Sequence, residues 1–166
     1  MASRTEPQPP DVRLAVLAAG WQERPAAEVG AELVEVWPLA HAPLHRFDAA
    51  DLVSMFKWAG YVSDGPPQPE APFTVYRGEL AASRPGMSWT ADRAVALRYA
   101  RDYRTVGPTR CLRATIPPRA ILARFVLHDE VVVDPAELTH VTVSGSFAQW
   151  APPRFNVGGI LDRLGR

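Results

Sequence analysis

The stretch Ser63 to Pro72, SDGPPQPEAP, places four prolines in ten residues. Proline lacks an amide donor and fixes φ, so neither a helix interior nor a central strand can run through such a segment. It reads as a linker and divides the chain into two differently patterned regions. Residues 11–62 carry helical periodicity, whereas residues 73–166 break into short extended runs. Residues 1–10, polar and proline-bearing, are expected to be disordered. A helical unit of about 50 residues is marginal alone, so the front region should pack as a layer on the core behind it. Strands with helices massed at one end make the expected class α+β.

In the front region Val12, Leu14, Val16 and Leu17 form one apolar cluster, and Val29, Leu33 and Val36 another at helical spacing. Arg24-Pro25 should separate them into two helices. A third helix is predicted over Phe47 to Val62, with Asp48 as cap, Asp51 in its first turn and Gly60 able to end it. Leu52, Met55, Phe56 and Ala59 form its buried stripe, with Trp58 near the edge. His41 and His45 have the spacing of a helical metal pair, but Pro43 lies between them and no carboxylate or cysteine stands at ligand distance. They are read as loop residues, and no metal is expected.

Behind the linker, Phe73-Thr74-Val75-Tyr76 reads as a strand ending in Arg77-Gly78. Gly86 to Thr90 is a second extended piece, and Thr90 is placed to cap a helix starting at Ala91. Val95, Ala96, Tyr99, Ala100 and Tyr103 would form that helix's buried stripe. Thr109 to Ile116 alternates as a half-buried strand. Further extended runs are expected at Ile121 to Leu127, Glu130 to Asp134 and Thr139 to Val143. The tail from Ser144 to Asn156 should lie over the surface, followed by a short helix at Ile160 to Leu164.

Eighteen basic residues balance eighteen acidic ones, which argues against nucleic-acid binding by bulk electrostatics. The lone cysteine, Cys111, excludes an internal disulfide and a cysteine metal cluster. No apolar stretch is long enough to span a membrane, and the N-terminus lacks the apolar core of a signal peptide. A cytoplasmic protein without membrane partners is the expectation.

Three segments in order carry chemical content: Tyr76-Arg77-Gly78, Ser88-Trp89-Thr90, and His128-Asp129-Glu130 leading into a valine run. Together they resemble the ADP-ribosyltransferases of the bacterial-toxin type. The signature of that family is an arginine on one strand, a Ser-Thr-Ser-like segment on the next and a glutamate opening a later strand. The likeness covers Phe73 to Val143. It implies a split β-sheet core under the helical layer. It also implies a toxin-like glycosyl transfer in which NAD is the co-substrate, nicotinamide is expelled, and ADP-ribose passes to a macromolecular acceptor, protein or nucleic acid. An NAD glycohydrolase using the same residues, and a nucleotide- or partner-binding module without catalysis, are the alternatives.

On that resemblance, Glu130 stabilises positive charge on the ribose and Ser88 braces it, as glycosyl transfer through an oxocarbenium-like state requires. Arg77 grips phosphate or ribose oxygens with its rigid fork. Tyr76, Gly78, Trp89 and Thr90 complete the NAD site, with Gly78 letting the ligand approach the backbone and Trp89 also suited to packing beneath the sheet. Arg77, Ser88 and Glu130 are expected to converge on one cleft. His128 departs from the arginine-modifying members, which carry Glu or Gln two residues before the catalytic glutamate. It is either a base toward the acceptor or an exposed turn residue. The plainer readings stay beside these: Arg77 as a surface arginine, Ser88 as a strand-edge residue, Thr90 as a helix cap, and Glu130 as an acid capping a turn.

Overall fold

The computed structural model describes residues 8–40 and 47–148. Three helices come first: α1 (Pro10–Gly20), α2 (Ala26–Val36) and α3 (Ala49–Ala59). Proline opens α1, and Pro25 immediately precedes α2. At those positions a missing amide costs nothing and the fixed φ suits helix entry. Asp48 caps α3 by accepting from the Ala50 amide, and Gly60, at φ 79°, turns the chain out of it.

The strands are β1 (Val62–Ser63), β2 (Phe73–Leu80), β3 (Ser88–Thr90), β4 (Thr109–Ile116), β5 (Ile121–Phe125), β6 (Glu130–Val133) and β7 (Val141–Phe147). They form one seven-stranded sheet in the order β1-β5-β6-β3-β2-β4-β7. Only β1 and β5 run parallel. Helix α4 (Arg93–Asp102) connects β3 to β4. The sheet is nearly divided at its centre. Strands β2 and β3 share a single register pair, Tyr76 with Thr90, whereas β2 and β4 pair along their full length from Phe73–Ile116 to Leu80–Thr109.

Two apolar clusters follow this division. Leu14, Leu17, Val29, Leu33, Trp37, Met55 and Phe56 of the helical region pack with Leu122, Ala123, Phe125 and Val132 of β5 and β6. Val75, Trp89, Leu112, Ala114, Ile116, Val131 and Val133 form the second cluster on the other side of the strands. The helical region is thus a layer sharing its core with the sheet. Removing it would strip water-excluding cover from β5 and β6, and burial of that kind is the main driving force of folding.

Several boundaries differ from the sequence reading. The region expected to be helical to residue 62 ends in β1, which adds a parallel edge strand beside β5. Val12 and Val16 turn outward, so α1 buries only Leu14 and Leu17. Pro10, the last residue of the N-terminal segment expected to be disordered, opens α1, and residues 1–7 lie outside the described part. Helix α4 starts at Arg93 instead of Ala91, because Asp92 is its cap and Thr90 is still strand. Its buried face is narrower than expected: Ala96 and Ala100 are buried while Tyr103 is exposed. Strand β5 ends at Phe125, two residues short of the extended run expected to Leu127, because the 3-10 turn Leu127–Asp129 takes over before Glu130. Strand β7 runs on to Phe147, pairing Phe147 with Thr109, where surface tail was expected from Ser144. His41, His45, the tail beyond 148 and the proposed helix at 160–164 lie outside the described residues.

Candidate active site

Strands β6, β3 and β2 lie side by side, so Glu130, Ser88-Trp89-Thr90 and Arg77 become neighbours although far apart in sequence. The register sets Thr90 opposite Glu130 and Ser88 opposite Val132. Directly paired residues share a face, and so do residues two apart on one strand, so Ser88, Thr90 and Glu130 lie together. The Ser88 hydroxyl donates to Glu130 Oε1 at 2.6 Å across 42 residues of sequence. This length is that of a charge-assisted O–H to carboxylate bond.

A second donor reaches the same oxygen from the helical layer. Trp37 Nε1–H donates to Glu130 Oε1 at 3.2 Å, over a separation of 93 residues. Trp37 stands in the short 3-10 turn Trp37–Leu39 that follows α2, is 3% exposed, and meets Phe56 edge-on at 4.8 Å. The indole is held by packing, so its N–H direction is fixed before any ligand arrives. Glu130 itself is half-buried. It is preceded by Asp129 at φ 48°, the one non-glycine residue of positive φ among those described. Aspartate tolerates that region better than most side chains. The Asp129 carbonyl accepts from the Ala91 amide at 3.2 Å, which ties the turn before Glu130 to the end of β3.

Arg77 approaches from the other side of the division. Tyr76 pairs with Thr90, so alternation directs Arg77 to the face opposite Thr90 and Glu130. Its guanidinium nevertheless reaches the same strand, where one terminal nitrogen donates a short hydrogen bond to the Ser88 carbonyl. Arg77, Ser88 and Glu130 are therefore linked in series: arginine to the Ser88 main chain, and the Ser88 side chain to the glutamate. The expectation that the three converge on one cleft is corrected: Arg77 lies on the sheet face opposite to that of Glu130 and is joined to it through Ser88, across the seam between β2 and β3. Two surface cavities, of about 260 and 460 Å³, lie elsewhere, against α1 and α3 and against the proline linker with Arg124.

The Arg77 guanidinium is also clamped by a carboxylate that sequence reasoning passed over. Glu79 is 3% exposed and accepts from Arg77 Nε at 2.8 Å. Its other oxygen accepts from Arg110 Nε at 3.1 Å and from an Arg110 terminal nitrogen at 2.8 Å. Glu79 and Arg110 are cross-strand partners on β2 and β4, and Arg77 lies two residues before Glu79 on the same face. The spacing Arg77-x-Glu79 on a strand was a legible signal for this pair. Trp37 gave none.

The remaining predicted residues fall into structural roles. A Cβ built on Gly78 would lie 2.6 Å from the Ala100 amide nitrogen and closer still to the Ala96 carbonyl oxygen. Glycine is required there because α4 rests on the strand, which corrects the reading of Gly78 as an opening for a ligand. Trp89 is 2% exposed in the second apolar cluster, and its indole donates to the Gly86 carbonyl at 2.8 Å, so its ring is committed to the core. The Thr90 hydroxyl accepts from the Asp92 amide at 3.1 Å and shapes the turn into α4. Tyr76 is half-buried on the Thr90 face. The backbone of His128 lies in the 3-10 turn Leu127–Asp129 that delivers Glu130 to its strand.

Among the described residues, no group of three or more His, Cys, Asp or Glu side chains could hold a metal ion, and no helix is long and apolar enough to cross a membrane. Comparisons of this chain with protein-family models, with curated proteins and with solved structures each found no match.

Proposed function

We propose that this protein is an NAD-dependent ADP-ribosyltransferase that cleaves the nicotinamide–ribose bond and transfers ADP-ribose to a macromolecular acceptor. The observation that carries the reading is the 2.6 Å bond from Ser88 Oγ to Glu130 Oε1, on adjacent strands beside the Arg77 strand. A serine and a tryptophan indole both fix one carboxylate oxygen, so the group is oriented in advance of reaction. A preorganised carboxylate is what stabilises charge that develops only in the transition state. Arg77 spends two of the five N–H donors of a guanidinium on described partners, and the others suit phosphate or ribose oxygens. The single-pair junction of β2 and β3 supports assigning the split core of that family.

One feature favours water as the acceptor. Residues 126–129 alone join β5 to β6, which leaves little surface beside Glu130 for grasping a macromolecule. Purified protein incubated with labelled NAD, with and without cell lysate, separates the cases. Label on a lysate component supports the transferase, and nicotinamide release without lysate supports the glycohydrolase. Intact NAD in both incubations overturns the enzymatic reading and leaves a binding module.

A further inference from the structure

We infer that Glu79 is a positioning residue that holds Arg77 in its anion-binding orientation; this rests on the NAD-site reading above. Glu79 is almost wholly buried, at 3% exposure, while the side chains of Arg77 and Arg110 keep 21% and 26%. The carboxylate therefore lies behind the two guanidiniums and touches no ligand that approaches them from solvent. Each oxygen serves one arginine: Oε2 takes Arg77 Nε at 2.8 Å, and Oε1 takes Arg110 at 2.8 and 3.1 Å. Arg110 is fixed further by donating to the Ser83 carbonyl at 2.8 Å.

An arginine side chain left to itself samples many rotamers, and binding must then absorb the entropy of ordering it. Glu79 and the Ser88 carbonyl hold the Arg77 guanidinium at two points and set the plane of its fork. Charge adds a second reason. Without Glu79, two guanidiniums would face each other across a poorly solvated gap, and Arg77 would be driven from its place. With Glu79, the three groups sum to one surplus positive charge, suited to an anionic diphosphate.

The test is calorimetric titration of ADP-ribose into the full chain and into E79Q, E79D, R77K and R77K/E79Q, with a thermal melt and NAD turnover for each. E79Q should raise the Kd for ADP-ribose about tenfold, the loss expected when a charge-assisted bond no longer orients the arginine. In turnover the loss should fall on KM far more than on kcat. E79Q should add little in the R77K background, because Glu79 acts through Arg77. If E79Q does not fold, E79D decides: it keeps the charge, withdraws it by one methylene, and should weaken binding in the same direction. A folded E79Q or E79D that binds ADP-ribose like the unmutated chain overturns the positioning role and leaves the site reading intact. Equal losses in the Arg77 and R77K backgrounds overturn it too. An unmutated chain that neither binds ADP-ribose nor consumes NAD overturns both.

Discussion

The two sides of the β2–β3 seam are built in different ways. On the Glu130 side the named donors are a hydroxyl and an indole, one from the next strand and one from the helical layer. On the Arg77 side an ion-paired cluster of two arginines and a buried glutamate comes wholly from adjoining strands. The first depends on tertiary packing across the chain, since Trp37 is placed by its contact with Phe56. The second depends on strand register, since Glu79 and Arg110 are directly paired. Damage to the helical layer should therefore reach turnover through Glu130, whereas damage to the β2–β4 register should reach affinity through Arg77.

Gly78→Ala should have the largest effect on stability, because it attacks the register side through backbone and no side chain can yield to relieve it. A loss of about 3 kcal/mol is expected, with Tm lower by on the order of 10 °C in a thermal melt. An unchanged Tm would mean that α4 does not rest on β2 as described. Arg77→Lys keeps the charge but loses the fork, and should weaken NAD binding by about 2 kcal/mol with kcat changed much less. The check is a KM and Kd comparison. A collapse of kcat at constant affinity would move Arg77 to the other side of the comparison.

Trp37→Phe preserves most of the packing and deletes only the N–H donor to Glu130. Turnover should fall about tenfold, near the value of one hydrogen bond, with affinity for NAD little altered. A variant with full turnover would separate the helical layer from the chemistry. The smallest effect concerns how that layer is tied to the sheet. Lys57 on α3 bonds to Asp134 at 2.7 Å, and this hydrogen bond with its charge attraction raises the lysine above its ordinary value of 10.5. A raised folded value means that the contribution is complete below about pH 10 and fades as pH rises through the folded value. Lys57→Gln should lower Tm slightly at pH 8, and the difference from the unmutated chain should shrink as pH rises through the lysine's raised folded value.

These two sides were not equally legible in the sequence. Strands β2 and β4 follow from alternation and β-branched residues, and β4 was predicted at its observed bounds, Thr109–Ile116. Ser88 and Glu130 could be singled out because each opens a strand in a telling order. That Glu130 would meet Trp37 was invisible, because no local pattern encodes a contact across 93 residues. Gly78 was misread for a related reason: glycine permits a close approach by a ligand or by a helix, and only the fold decides which. The start of α4 was missed by two residues because Thr90 and Asp92 are both good caps, and pairing of Thr90 with Glu130 holds the former in the sheet.

Glu130→Gln tests the central claim most directly. The amide keeps the size of the side chain and can still accept from Ser88 Oγ and Trp37 Nε1, but the negative charge is gone. Nicotinamide release from NAD should fall about a hundred- to a thousand-fold at saturating NAD, with Kd for NAD little changed and Tm near that of the unmutated protein. A Glu130→Gln protein that releases nicotinamide at the unmutated rate would contradict the account, and Glu130 would be only the residue that closes the turn into β6.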